Sequence, residues 1–164
     1  MAVSPEQLRA ALGRWPSGVS VVTSFGPEPV GMTVSAFFGI SLAPPLVGVS
    51  LARKAATLAV IERTRSFAIN VLSADQSQLS DRFAYQDEAL RFEGVALHPE
   101  PRARSPLLGG AVLQLDCELD ATHVAGDHVL CVAQVRLALI HAGDPLLIHA
   151  AGYHRLSPLV RPLP

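Results

Sequence analysis

Four histidines stand in two pairs, His123 with His128 and His149 with His154, each pair five residues apart across a predicted turn. That spacing puts two ligands neither on one helix face nor on one strand face. With no further ligand at metal-site spacing, neither pair reads as a metal centre. The chain has no nucleophile elbow, Walker loop or Gly-x-Gly-x-x-Gly, which removes the usual hydrolase, P-loop and Rossmann readings. Gly31-Met32-Thr33-Val34-Ser35-Ala36-Phe37, followed by Pro44-Pro45-Leu46-Val47, is different. It is a strand end of small and hydroxyl residues, where backbone groups can approach a flat heterocycle closely. Further on, Arg53-Lys54-Ala55-Ala56-Thr57 sets two cations and a hydroxyl at a predicted helix start, which suits a phosphate. A ring platform joined to a phosphate cradle is what a flavin nucleotide needs. The same residues also read as a loop with solvated cations.

The elements that must position these residues follow from local signals. Ser4-Pro5-Glu6-Gln7 predicts a helix start, with Ser4 as N-cap, Pro5 at N1 and Gln7 reaching back in a capping box. Leu8, Ala11 and Leu12 would give that helix an apolar stripe, and Trp15-Pro16-Ser17-Gly18 would stop it. Strands are predicted at Val19–Phe25, near Val30–Val34, at Leu46–Leu51 and at Phe67–Leu72, with a helix over Ala55–Thr64. Ser73-Ala74-Asp75-Gln76 repeats the capping-box pattern and predicts a helix ending near Phe83. From Ala84 to Gly110 the chain is polar and proline-punctuated, and a loop of that length has a job or wraps a neighbour.

Leu113, Leu115, Cys117, Leu119 and Ala121 alternate with polar residues, which predicts a strand with one dry and one wet face. Cys131, Ala133, Val135, Leu137 and Leu139 alternate in the same way. Joining the two dry faces pairs Leu115 with Leu137, Cys117 with Val135 and Ala121 with Cys131. The loop is then Ala125-Gly126-Asp127. Cys117 and Cys131 end up about 13 Å apart at ~3.3 Å per residue, too far for a disulfide. A last strand pair is expected at Leu146–His149 and Tyr153–Leu156. Six or more strands with three short helices predict a mainly β protein, α+β by count, built as a barrel or closed sheet. Residues 1–156 read as one domain and 157–164 as a proline-rich tail, extended or mobile.

Composition bounds the function. Of 164 residues, 13 are Lys or Arg and 14 are Asp or Glu, for a net charge of −1 with 49% hydrophobic residues. This excludes intrinsic disorder, and the absence of a basic block argues against a nucleic-acid partner. The uncharged run Pro29–Ala52 is long enough for a bilayer, but its prolines, glycines and hydroxyls read as strands and loops, not as a membrane segment. With no secretory signal in MAVSPEQLRAAL, a cytoplasmic protein is expected. Charged residues are only 16% of the chain, so part of its apolar surface is expected to be covered by a second subunit or a flat cofactor.

Seven motifs in order resemble one family. They are Arg14-Trp15-Pro16-Ser17-Gly18-Val19, Gly31 to Phe37, Pro44-Pro45-Leu46-Val47, Asn70-Val71-Leu72, Arg91-Phe92-Glu93-Gly94, Gly126-Asp127-His128 and Gly152-Tyr153-His154-Arg155-Leu156. Together they resemble the flavin reductase-like family, the small reductase components of two-component flavin-dependent monooxygenases. The resemblance implies an FMN-binding split β-barrel, a homodimer and reduction of FMN or FAD by NADH or NADPH, serving a partner oxygenase component. It implies that Met32, Thr33, Val34 and Ser35 line the isoalloxazine edge and that Arg53, Lys54 and Thr57 hold the phosphate end. Ser80-Asp81-Arg82-Phe83 or Arg91 would close over that end. Asp127, His128 and Tyr153 would lie on the nicotinamide side, with His128 the catalytic candidate. Many relatives have serine where this chain has Ala36, Ala55 and Ala56, so fewer hydroxyls are available to a phosphate here. A flavin-binding electron carrier or sensor without nicotinamide turnover is the alternative.

Overall fold

The computed structural model describes residues 3–157, so the proline-rich tail beyond Ser157 lies outside the described residues. Helix α1 (Pro5–Leu12) begins as expected. Ser4 accepts from the Gln7 N–H at 3.2 Å and the Gln7 side chain accepts from the Ser4 N–H at 3.0 Å. Its apolar stripe is not used by its own chain, because Leu8 and Leu12 are exposed and no α1 residue is buried.

Seven strands form one sheet. In chain order they are β2 (Ser20–Phe25), β3 (Pro29–Val34), β4 (Phe37–Leu42), β5 (Pro45–Ala52), β6 (Ser66–Val71), β7 (Leu113–Ala125) and β8 (His128–Ile140). Their order in space is β3-β2-β6-β7-β8-β5-β4. Both edges come from neighbouring strands in the chain, β3 and β4, joined only through Ser35 and Ala36. The sheet therefore curls to bring its two edges together at that short link but leaves them unpaired, so it stays open. This corrects the closed-sheet expectation and is consistent with a split barrel. Strand β4 lies outside the predicted strands although Phe38, Ile40 and Leu42 alternate with Gly39 and Ser41; it is an edge strand, and all three of these apolar residues are exposed. The two-residue strand β1 (Ser17–Gly18) joins β9 (Leu147–His149) and β10 (Gly152–His154) in a separate small sheet.

Inside the curl, Val22, Val49, Leu51, Phe67, Ile69, Cys117 and Cys131 form a continuous core. Helix α2 (Ala56–Thr64) stoppers it with Leu58 and Ile61. Outside, helix α3 (Ser77–Tyr85) packs Phe83 against Val21, Leu72, Leu108 and their neighbours. The second capping-box pattern is only half realised. The Gln76 side chain accepts from the Ser73 N–H at 2.9 Å, and the helix starts later, at Ser77.

The long β7–β8 hairpin departs from its expected register in an informative way. Its turn is the two-residue Gly126-Asp127, with Gly126 at φ 63° as a tight primed turn requires. A bulge at Asp120 then restores the predicted Cys117–Val135 pairing, and a second at Arg136 shifts it back, so Asp116 faces Leu137. The expected wet face of β7 is wet only towards the turn, where Asp120 is exposed and Glu118 half-exposed. Gln114 and Asp116 are buried because residues of the long loop lie over them. Gln114 donates to the Leu108 carbonyl at 2.7 Å, and the Asp116 carboxylate accepts from the Arg104 and Ser105 N–H groups, each at 3.2 Å. The loop thus wraps its own barrel. Both cysteines are free and buried, and burial pushes their thiols up to about 12 for Cys117 and about 11 for Cys131. No helix among the described residues is long and apolar enough to cross a membrane.

Candidate flavin groove at the sheet opening

Because β3 is a sheet edge, half of its backbone groups have no ladder partner. The Gly31 carbonyl accepts from Arg91 Nη1 at 2.7 Å and so faces away from β2. Peptide groups alternate along a strand, hence those of Thr33 face outward as well. A groove runs along this free edge. Its outer cavity, about 400 Å³, is lined by Met32, Thr33, Val34, Ser35, Ala36, Ser50, Ala52 and His128. An inner cavity of about 260 Å³ shares Met32 and Thr33 and is walled by Thr57, Phe83, Glu88 and Arg91. The two cavities are neighbours, with Met32 and Thr33 lining both.

Each wall has a local cause. Strand β5 reaches the groove because it pairs with β8, which sets Ala52 opposite His128. The Arg53 N–H donates to the Asp127 carbonyl at 3.0 Å, tying the start of the Arg53–Thr57 segment to the hairpin tip. Helix α2 opens with Ala55 as N-cap and no side-chain cap; the Leu58 N–H turns back to the Ala55 carbonyl at 3.1 Å, which leaves the Ala56 and Thr57 N–H groups to whatever fills the inner cavity. Phe83 is fully buried and meets Phe92 edge-on at 5.0 Å between ring centroids. Its ring also lies so close to Gly31 that a Cβ there would come within 2.9 Å. The Thr33 hydroxyl donates to the Ser80 carbonyl at 2.7 Å, pinning α3 to the free edge.

At the open end, His128 Nδ1 and the Asp127 carboxylate are 2.8 Å apart. That hydrogen bond, with the attraction of the imidazole, lowers the Asp127 pKa. It occupies Nδ1, so Nε2 is the nitrogen left for a ligand.

Of the residues expected from sequence, Met32 to Ser35, Thr57, Phe83, Arg91 and His128 line this groove. Arg53 and Lys54 are exposed on the segment that passes between its two cavities. The Asp127 side chain points to solvent and reaches the site only through His128. Tyr153 lines neither cavity. Its hydroxyl meets Ser80 Oγ at 2.9 Å and Asp81 at 2.7 Å, and burial raises its pKa. Asp81 and Arg82 likewise face a separate depression of about 750 Å³ between α3 and residues 94–96. Ser50 and Glu88 were missed. Ser50 carries a faint signal, as the one hydroxyl in a predicted apolar strand; Glu88, inside a polar loop, carries none.

The groove fits a flavin nucleotide: a flat edge of free backbone groups, small side chains at Ala36, Ala52 and Ala55, and an uncapped helix N-terminus beside two cations. Comparison with known proteins agrees. The flavin reductase like domain matches residues 12–157. The chain is 39% identical to the FMN reductase (NADH) SmoA of Agrobacterium fabrum, covering 91% of this chain and 84% of that one. It is 37% identical to the reductase component of 4-hydroxyphenylacetate 3-monooxygenase of Thermus thermophilus, over 92% and 96%. Its fold superposes with TM-score 0.90 on the NADH:FAD oxidoreductase SgcE6 of Streptomyces globisporus in complex with NAD and FAD fragments, at 32% identity over 98% and 99% of the two chains. On the strength of a match over nearly its whole length, this chain belongs to the flavin reductase-like family.

Proposed function

We propose that this protein reduces FMN or FAD with NADH or NADPH and supplies the reduced flavin to a partner monooxygenase. The observation that carries the reading is the pair of neighbouring cavities on the free edge of β3 that share Met32 and Thr33, with His128 lining one and Arg91 the other. The flavin supplies the chemistry by accepting a hydride at N5 from the nicotinamide. The protein's part is to hold, orient and exclude water. Outward backbone groups of β3 and the Met32–Ser35 wall receive the ring, with N–H groups there suited to a gain of negative charge. Arg53, Lys54, Thr57 and the α2 N-terminus take the phosphate end, and Phe83 and Arg91 close the inner wall. His128, held by Asp127, orients the nicotinamide at the outer end. Tyr153 acts one step removed, positioning α3 through Ser80. No acid–base dyad is needed, since hydride transfer asks for ring stacking within about 3.5 Å.

The protein is read as a single domain over residues 1–156 that works as a homodimer. Support for the dimer is the unpartnered apolar surface of β4 (Phe38, Ile40, Leu42) and α1 (Leu8, Leu12). A monomer by light scattering would undo that part. The test of the activity is NADH and NADPH consumption with added FMN and FAD, followed by stopped-flow absorbance. Oxidation of either nicotinamide only when flavin is present is expected. A yellow protein that ignores both nicotinamides would instead be an electron carrier or sensor.

A further inference from the structure

We propose that Glu88 weakens the groove's hold on the flavin phosphate by competing for Arg91, which keeps the flavin a diffusing substrate and discriminates against FMN relative to FAD. This rests on the flavin reading of the groove. Glu88 opens a short 3₁₀ turn, Glu88–Leu90, whose start is held by Asp87 accepting from the Ala89 N–H. One turn later comes Arg91. The turn thus presents a carboxylate and a guanidinium to the same inner cavity.

Arg91 is not a free anion receptor. Its Nε donates to the Gln86 carbonyl at 3.0 Å and its Nη1 to the Gly31 carbonyl at 2.7 Å, leaving the side chain only 14% exposed. Those carbonyls fix where the charge sits. Glu88 Oε1 lies 3.9 Å from Nη1, at the long limit of an ion pair. At that range the carboxylate offsets the charge of Arg91 without making a short hydrogen bond to it. A phosphate entering opposite the α2 N-terminus would therefore meet one cation and one anion on this wall. The α2 first turn contains no acidic residue, so Glu88 is the negative group of the cavity lining.

The cost to a ligand depends on its charge. The terminal phosphate of FMN gathers nearly two negative charges at one site at neutral pH, whereas FAD spreads two over its two phosphates, so that its second charge lies further along the ligand, and riboflavin has none. Repulsion from Glu88 should accordingly be greatest for FMN, smaller for FAD and absent for riboflavin. Glu88 is half-exposed, so solvent screens the effect to a severalfold change in affinity.

The experiment titrates the full-length protein, its Glu88→Gln variant and its Glu88→Ala variant with riboflavin, FMN and FAD at low and high salt, with binding read by flavin fluorescence. Glu88→Gln keeps the shape of the side chain, and thermal melts check that both variants fold. The expected result is about three- to tenfold tighter FMN binding in both variants, a smaller gain for FAD, none for riboflavin, and a gain that shrinks at high salt. An unchanged ratio of FMN to riboflavin affinity, or weaker FMN binding in a folded Glu88→Gln, overturns the proposal and makes Glu88 a mere support for Arg91. If the wild-type protein binds no flavin, riboflavin included, the reading of the groove itself falls and this inference with it.

Discussion

His128 Nδ1 and the carboxylate of its chain neighbour Asp127 lie 2.8 Å apart at the tip of the β7–β8 hairpin. Adjacent strand residues normally point to opposite faces. Here the two-residue turn lets Asp127 fold back on the ring while His128 already belongs to β8 and faces Ala52 across the ladder. One side chain thus borders the groove and the other, in solvent, holds it.

His128→Ala is expected to slow flavin reduction at saturating NADH by about ten- to hundredfold, the scale of lost orientation, while flavin affinity changes little. Stopped-flow absorbance separates the two. An unchanged reduction rate would remove His128 from the reaction. Asp127 has a lowered pKa, so its contact with the imidazole is present above the ordinary aspartate range and is lost as pH falls through the lowered value. Asp127→Asn should therefore slow reduction across neutral pH rather than only in acid.

Gly31→Ala is expected to destabilise the fold by about 1–3 kcal/mol in urea unfolding, as overpacking does. The added methyl would stand 2.9 Å from the Phe83 ring and 3.1 Å from the Val22 carbonyl, so it is caught between a buried aromatic and backbone. The same push should move Phe83 off the inner cavity and weaken flavin binding. A variant as stable as the parent would show that α3 yields freely.

Asn70 joins three elements. Its amide donates to the Val21 carbonyl at 3.1 Å and to the Thr23 hydroxyl, and its carbonyl accepts from the Leu108 N–H at 2.8 Å. Asn70→Leu would strand several buried polar groups at once, which predicts a loss of about 3 kcal/mol or more by chemical denaturation. A loss under 1 kcal/mol would mean that water replaces the amide.

Asp116 titrates in the opposite sense to Asp127, since burial raises its pKa despite two N–H donors. Above the ordinary aspartate range the unfolded chain ionises first, so stability from this group falls as pH rises until the raised value is passed. The stability difference between the parent and Asp116→Asn, measured between pH 3.5 and 7, should shrink as pH rises and then level off. A difference that grows with pH would reverse the sign and make the two N–H donors dominant.

Much of this protein can be read directly from its chain. The Ser4 capping box, β2, β3, β5 and β6 and the existence of the long hairpin depend on neighbours a few residues away, so local pattern determines them. The ordered motifs likewise pointed to the family, and the Met32–Ser35 edge to the groove. Tertiary structure alone decided the rest. Gln114 and Asp116 look like a wet face until a distant loop supplies N–H and C=O partners. Phe38, Ile40 and Leu42 of β4 alternate like a strand with a dry face, yet all three are exposed in this chain. Tyr153, near the expected site in motif order, is drawn instead to Ser80 and Asp81 on α3. Glu88 acquires a role only because Arg91 is anchored by Gly31, 60 residues away. Local geometry is encoded over a turn or two; which polar groups share a cavity is decided by contacts between segments far apart in the chain.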